Sequence, residues 1–295
     1  MIFCFLKGIN KDMRIGNRDF NTDSKTYIMG IVNMTPDSFF DGHNYNDVDR
    51  ALVRIEKMIS DGVDIIDIGG ESTRPGYIPV GAGEEIRRII PIIEAVKLRF
   101  DIPISVDTYR SDVAKTAISY GADMINDIWG LRYDGNVESM ANVIADTGVA
   151  ACIMHNSSES ILLNGQPEKY IEKIQCLKRE LQESVNIALD AGVDKERIII
   201  DPGVGFAKDY DMNMAVTANL EELNELGYPV LLGTSNKSVI GTTLDLPVNE
   251  RMEGTLVTTV FAVLAGCSFI RVHDVKKNKR AADMAAALKN YRNPL

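Results

Sequence analysis

Short apolar runs rich in β-branched residues alternate with longer amphipathic stretches eight times, and this alternation constrains the chain more than any other feature. Strand-type runs fall at 27–33, 63–68, 104–107, 124–126, 150–154, 198–200, 230–232 and 269–272. Helical patterns follow at about 47–60, 84–99, 111–119, 137–147, 167–191, 211–226, 250–265 and 275–291. Pro103 and Pro229 precede strands, where proline is tolerated. Gly62, Gly121, Gly192 and Gly227 fall just past helical stretches, as C-terminal caps do. Eight β-then-α units in 295 residues predict an α/β chain folded as a (β/α)8 TIM barrel, which uses about 250 residues in one domain. A doubly wound open sheet usually has fewer units and often a GxGxxG phosphate loop after its first strand; here Asn33 is followed by MTPDSF. The stretch 13–20 (MRIGNRDF) reads as a short hairpin, so the chain divides into an N-terminal extension with hairpin, 1–26, and a barrel, 27–295.

The net charge of -10 excludes a global basic footprint for nucleic acid. The one local basic run, Lys276-Lys277-Asn278-Lys279-Arg280, is expected to be a solvated helix face. Cysteines stand at 4, 152, 176 and 267 with no CxxC pair, so neither a zinc site nor a redox motif is indicated. Cys152 and Cys267 are expected to be core thiols in a reduced, cytoplasmic setting. No apolar run reaches the roughly 18 residues of a membrane span, and the N-terminal MIFCFLKGIN reads as non-targeting.

Barrel chemistry gathers at the C-terminal ends of the strands. Here those ends supply Asn33, Gly69-Gly70-Glu71-Ser72-Thr73-Arg74-Pro75, Asp107, Asn126-Asp127, His155-Asn156, Asp201-Pro202-Gly203, Thr234-Ser235-Asn236-Lys237, and Arg271 with His273. One polar strand end is an ordinary turn; eight in succession indicate a site. Strand periodicity puts Arg271 and His273 on one face, and Ser105 and Asp107 on one face. Turn and capping roles compete for Asp201, Asn33 and Asn126. Arg271 in an apolar strand needs a partner, because an unpaired buried charge is costly. His43 is expected at the surface, and Trp129 in packing.

The segments IMGIVNMTPDSF, DIIDIGGESTRPG, ISVDTYR, MINDI, DPGVGFAK and FIRVHDV, in this order between residues 28 and 275, resemble the signature blocks of the dihydropteroate synthases. The resemblance implies condensation of 6-hydroxymethyl-7,8-dihydropterin pyrophosphate with p-aminobenzoate, with Mg²⁺ as cofactor, in a homodimer that sulfonamides target. It assigns the pterin to Asp107, Asn126, Asp201 and Lys237, with Ile128 and Met154 as apolar walls. It assigns Mg²⁺ to Asn33, and the pyrophosphate to Thr73, Arg271, His273 and Asn33. Arg74 and the loop 35–45, including Thr35, Asp37 and Phe39, would close the site. Phe39, Pro75, Phe206, Ser235 and Lys237 would meet p-aminobenzoate. Asp107, Asp201, Lys237, Arg271 and His273 form the implied catalytic set. A carboxylate suits the donor-rich edge of a pterin. Pyrophosphate leaving a CH₂ on an electron-rich ring further suggests a cation-like transition state.

One departure stands out. The family has Ser-Arg-Lys after strand seven, whereas this chain has Ser235-Asn236-Lys237, which loses a full charge and a bidentate fork. Two other readings are a pterin-binding methyltransferase on the same barrel and a non-catalytic pterin-binding paralogue. The first has less reason to keep TPDSF, STRPG and RVHDV.

Overall fold

The computed structural model describes residues 12–35, 45–71, 79–133, 135–136, 138–156 and 160–292. A two-stranded antiparallel hairpin, β1 (Asp12–Ile15) and β2 (Arg18–Asn21), precedes eight parallel strands. These are β3 (Tyr27–Asn33), β4 (Ile65–Gly69), β5 (Ile104–Asp107), β6 (Met124–Asp127), β7 (Ala150–Met154), β8 (Ile198–Asp201), β9 (Leu231–Leu232) and β10 (Phe269–Val272). They pair in the order β8-β7-β6-β5-β4-β3-β10-β9. A parallel bridge between Ile200 and Val230, with Ile200 N–H donating to Pro229 O at 2.9 Å, joins the two ends and closes the barrel.

The helices are α1 (Tyr45–Ser60), α2 (Ala82–Arg99), α3 (Ser111–Ser119), α4 (Met140–Thr147), α5 (Tyr170–Asp190), α6 (Tyr210–Ala218), α7 (Ser238–Leu244), α8 (Met252–Ala265) and α9 (Val275–Arg292). The expected helix 211–226 divides: after Ala218 the chain tightens into a 3₁₀ stretch, Leu220–Leu226, which ends at left-handed Gly227. The seven-residue α7 was not anticipated, being too short for a periodic pattern to register. The basic run is not wholly a solvated face either: Asn278 is fully buried and accepts a 2.6 Å hydrogen bond from Thr259 Oγ1 of α8.

Strand periodicity sorts the side chains into two layers. Ile28, Val32, Ile66, Ile68, Val106, Ile125, Ile153, Ile200 and Ile270 belong to the continuous core shared with the helices. Their neighbours in sequence, Tyr27, Met29, Ile65, Met124, Cys152, Ile199, Leu231 and Phe269, fill the barrel interior. Met13, Ile15 and Phe20 of the hairpin join this interior cluster, with the Phe20 ring 4.8 Å from Tyr27 and 5.8 Å from Phe269. The hairpin therefore stoppers the N-terminal end of the barrel. Farther along the same inward faces the residues become polar: Asp67, Ser105, Asp107, Asn126, Asp201 and Arg271. An apolar lower barrel and a polar upper one put the chemistry at the C-terminal mouth.

Candidate active site

Arg271 enters the mouth from β10 with its side chain 19% exposed. Its Nε donates to Asp67 Oδ2 at 2.6 Å, and its Nη2 donates to Asp107 Oδ2. Burial alone would lower the guanidinium, but Asp67 and Asp107 outweigh this and hold it above its ordinary range. Two carboxylates face one cation, so the cluster is anionic. Burial, opposed by Arg271 and reinforced by Asp67, pushes the Asp107 carboxyl well above the usual range. Asp67 Oδ1, Ser105 Oγ and Asp107 Oδ1 are buried without a hydrogen-bond partner among the described residues. Asp67 and Ser105 are register partners on β4 and β5, so these atoms share one stretch of the inner wall. Unused buried acceptors are costly unless a ligand supplies donors.

Asp201 ends β8 opposite this cluster. Its Oδ1 accepts from Gly203 N–H at 2.7 Å, and burial raises its carboxyl while Lys237 opposes the rise. Burial likewise pushes Lys237 down to about 8, with Asp201 opposing. Lys237 Nζ donates to Val204 O and stands 4.9 Å over the Phe206 ring. Asn126 is buried at the end of β6. Ile128, Met154 and Tyr109 form an apolar cluster with Trp129, Tyr133 and Phe206 packed against it. Trp129 packs there edge-on to Tyr109 at 6.4 Å.

Two inward positions at the mouth carry no side chain. A Cβ on Gly69 would lie 3.5 Å from both Asn33 Oδ1 and Asp107 Cβ. One on Gly233 would lie 3.8 Å from Asp201 Oδ2 and from Arg271 Cβ. These glycines keep open the space between the charged groups. Asn33 Oδ1 and Asp107 thus flank the same open position at Gly69. Ser235 is tied to His273: His273 N–H donates to Ser235 Oγ at 3.2 Å, and that oxygen lies 2.9 Å from His273 Nδ1. Thr35 is buried beyond Asn33. Thr73, Arg74, Pro75, Asp37, Phe39 and His43 lie outside the described residues.

Asn236 adopts a left-handed φ of 57°, a conformation asparagine tolerates better than most residues. Its N–H donates to Thr255 Oγ1 at 3.1 Å, and its carbonyl accepts from Arg251 Nη1 at 3.0 Å. The loop is therefore ordered without the family's arginine. Sequence reasoning missed Asp67. Its signal was an acid inside the apolar run IIDIG, two residues from the inward Gly69. It also missed the polar network around Glu71, just past β4. Glu71 accepts from Val80 N–H at 2.9 Å, Tyr109 Oη at 2.7 Å and Arg110 Nη1 at 3.0 Å, and Arg110 also donates to Glu85 at 2.6 Å.

The chain matches the family model of the pterin binding enzymes over residues 29–273. A dihydropteroate synthase of Clostridium beijerinckii is 52% identical over 273 residues, covering 92% of this chain and 97% of that protein. A crystal structure of dihydropteroate synthase from Clostridium difficile in the presence of pteroic acid superposes with TM-score 0.84 at 46% identity, covering 93% of this chain and all of that one. A Xanthomonas albilineans dihydropteroate synthase with 4-aminobenzoic acid gives TM-score 0.85 at 35% identity, covering 95% and 99%.

Replacing Asp67 with Asn tests the anionic cluster. Loss of one like charge beside Asp107 lowers that carboxyl, so the acid limb of kcat/KM moves to lower pH. Loosened Arg271 lowers kcat by about tenfold, the scale of one hydrogen bond to a charged group. A pH profile and kcat both matching the parent would show that Asp67 does not act on the site.

Proposed function

The chain belongs to the family of pterin binding enzymes, among the dihydropteroate synthases, and from that membership we infer how its barrel mouth works. It is a transferase that joins the pterin-methyl group of 6-hydroxymethyl-7,8-dihydropterin pyrophosphate to p-aminobenzoate, yielding 7,8-dihydropteroate and pyrophosphate. The observation that carries the residue-level reading is the buried cluster of Arg271, Asp67 and Asp107, with unused acceptors facing Asp201 across a space kept open by glycines.

The donor edge of the pterin meets carboxylate acceptors at Asp201 and Asp107, with Asn126 beside them and Ile128 and Met154 against its faces. Lys237, lowered to about 8 by burial, donates to an acceptor on the ring. Arg271 and His273 receive the pyrophosphate. As the C–O bond breaks, negative charge gathers on the leaving group beside Arg271, and positive charge on the ring is stabilised by Asp107 and Asp201. The arylamine nitrogen then attacks the CH₂ from the Phe206 and Lys237 side. No protein nucleophile is needed.

Mg²⁺ fits this mouth in one way. No cluster of three His, Cys, Asp or Glu ligands exists among the described residues. The carboxamide oxygen of Asn33 faces the Asp107 edge, and a hard cation that keeps waters and substrate phosphates suits such a single ligand. Bound there it would offset charge on the departing pyrophosphate. The methyltransferase and non-catalytic readings gain no support from relatives of this likeness.

A homodimer suits the outer surface. Val257 and Phe261 on α8, and Met284 and Leu288 on α9, are each half exposed or more and lie one helical turn apart on their helices. The reading also includes a cytoplasmic location, where buried thiols such as Cys152 and Cys267 persist reduced, and sulfonamides as mimics of p-aminobenzoate. None of the described helices is long and apolar enough to cross a membrane.

Dihydropteroate formation from the pterin pyrophosphate and labelled p-aminobenzoate tests this function. Mg²⁺-dependent product is expected, and Arg271→Gln should lower kcat by about 10²–10³. Pterin binding without turnover by folded protein would refute the synthase reading. Light scattering should give twice the chain mass for the parent and a monomer for Phe261→Asp; a monomeric parent would remove the dimer from the account.

A further inference from the structure

The loop between β8 and α6 turns left-handed three times in five residues: φ is 66° at Gly203, 89° at Gly205 and 48° at Ala207. Such a path persists only where its surroundings over-determine it. At Gly203 a Cβ would come within 2.0 Å of His155 O, so the chain runs directly against the end of β7. From outside, Gly205 N–H donates to Asn213 Oδ1 at 2.6 Å and Ile161 N–H donates to Ala207 O at 2.9 Å.

From inside, one side chain holds the loop. Lys208 Nζ donates to Gly203 O at 3.1 Å and to Phe206 O at 3.0 Å. It also lies 3.0 Å from His155 Nδ1, while His155 Nε2 lies 3.1 Å from Glu180 Oε2 on α5. A lysine donating to Nδ1 leaves the ring proton on Nε2, facing the carboxylate. Burial and the neighbouring Lys208 keep His155 well below its ordinary range, which fits a neutral ring accepting at Nδ1. Burial also lowers Lys208, to about 7. The loop so held carries two groups of the mouth: the Phe206 ring, 4.9 Å from Lys237 Nζ, and the Val204 carbonyl that accepts from that same nitrogen.

We propose that Lys208 is a positioning residue for the arylamine side of the reaction. Anchored through His155 to Glu180, it fixes the Gly203 and Phe206 carbonyls and thereby sets the Phe206 ring and Lys237 Nζ. The proposal rests on the synthase reading of the mouth. Lys208 contacts neither substrate. Asp107, Asn126 and Arg271 hold the pterin pyrophosphate from other strands, whereas Asp201 and Lys237 touch this loop; the Phe206 ring serves p-aminobenzoate alone, so the effect is larger on p-aminobenzoate.

The test compares Lys208→Met and Lys208→Arg with the parent in the full chain, measuring kcat and both KM values together with ¹⁵N-histidine spectra. In Lys208→Met the KM for p-aminobenzoate should rise by about tenfold while that for the pterin substrate rises much less, since small misplacement of a positioned group is costly to its own contact. Lys208→Arg, which keeps donors for the carbonyls, should recover part of the loss, and it carries the test if the methionine variant does not fold. In the parent, His155 Nδ1 should resonate as an unprotonated acceptor, a state lost in Lys208→Met. Equal changes in both KM values, no change in either, or a parent His155 protonated at Nδ1 would overturn the proposal. A parent that makes no dihydropteroate would instead fail the synthase reading, and the histidine spectra would then decide the role of Lys208.

Discussion

A single arginine held between two buried carboxylates organises the upper half of this barrel. Arg271 could not occupy an inward position without partners, because an unpaired charge there would cost several kcal/mol. Asp67 and Asp107 meet that requirement from the neighbouring region of the sheet. They over-meet it: two anions face one cation, and three oxygens of the inner wall are left without partners among the described residues. On the proposed reading, this pre-organises a cation for an anionic leaving group and acceptors for a donor-rich ring. The apolar lower barrel, sealed by Met13, Ile15 and Phe20, keeps water from the underside of this cluster. Stability and function divide along the barrel axis.

Much of this was legible in the sequence, for physical reasons. Parallel strands buried on both faces must be continuous apolar runs, so the positions of β3 to β10 could be located by composition alone. The polar strand ends were legible because turn roles explain any one of them but not polar residues at equivalent places in all eight units, Asp107, Asp201 and Arg271 among them. Asp67 escaped because it lies inside a strand, where attention to strand ends does not look. Lys208 escaped because its partners are carbonyls and an imidazole distant in the chain, which no local pattern encodes. The hairpin was legible as a hairpin from MRIGNRDF; its service as a stopper depends on three-dimensional contact with Tyr27 and Phe269.

The departure at Asn236 illustrates how a lost contact can be absorbed. Its left-handed backbone suits asparagine, and hydrogen bonds with Thr255 and Arg251 tie the loop to α8. The order of the loop carrying Lys237 therefore does not rest on the family's arginine. The sixth loop at the mouth shares this logic, braced by Lys208 and Asn213 through polar contacts to the barrel frame.

The central claim is that Asp67, Asp107 and Arg271 act as one electrostatic unit on the leaving pyrophosphate. A double-mutant cycle on kcat/KM for the pterin pyrophosphate, using Asp67→Asn, Arg271→Gln and the pair, measures this directly. The account predicts strong non-additivity: once Arg271 is gone, removing Asp67 costs little more. Losses that simply add would mean that the two residues act independently, and would contradict it.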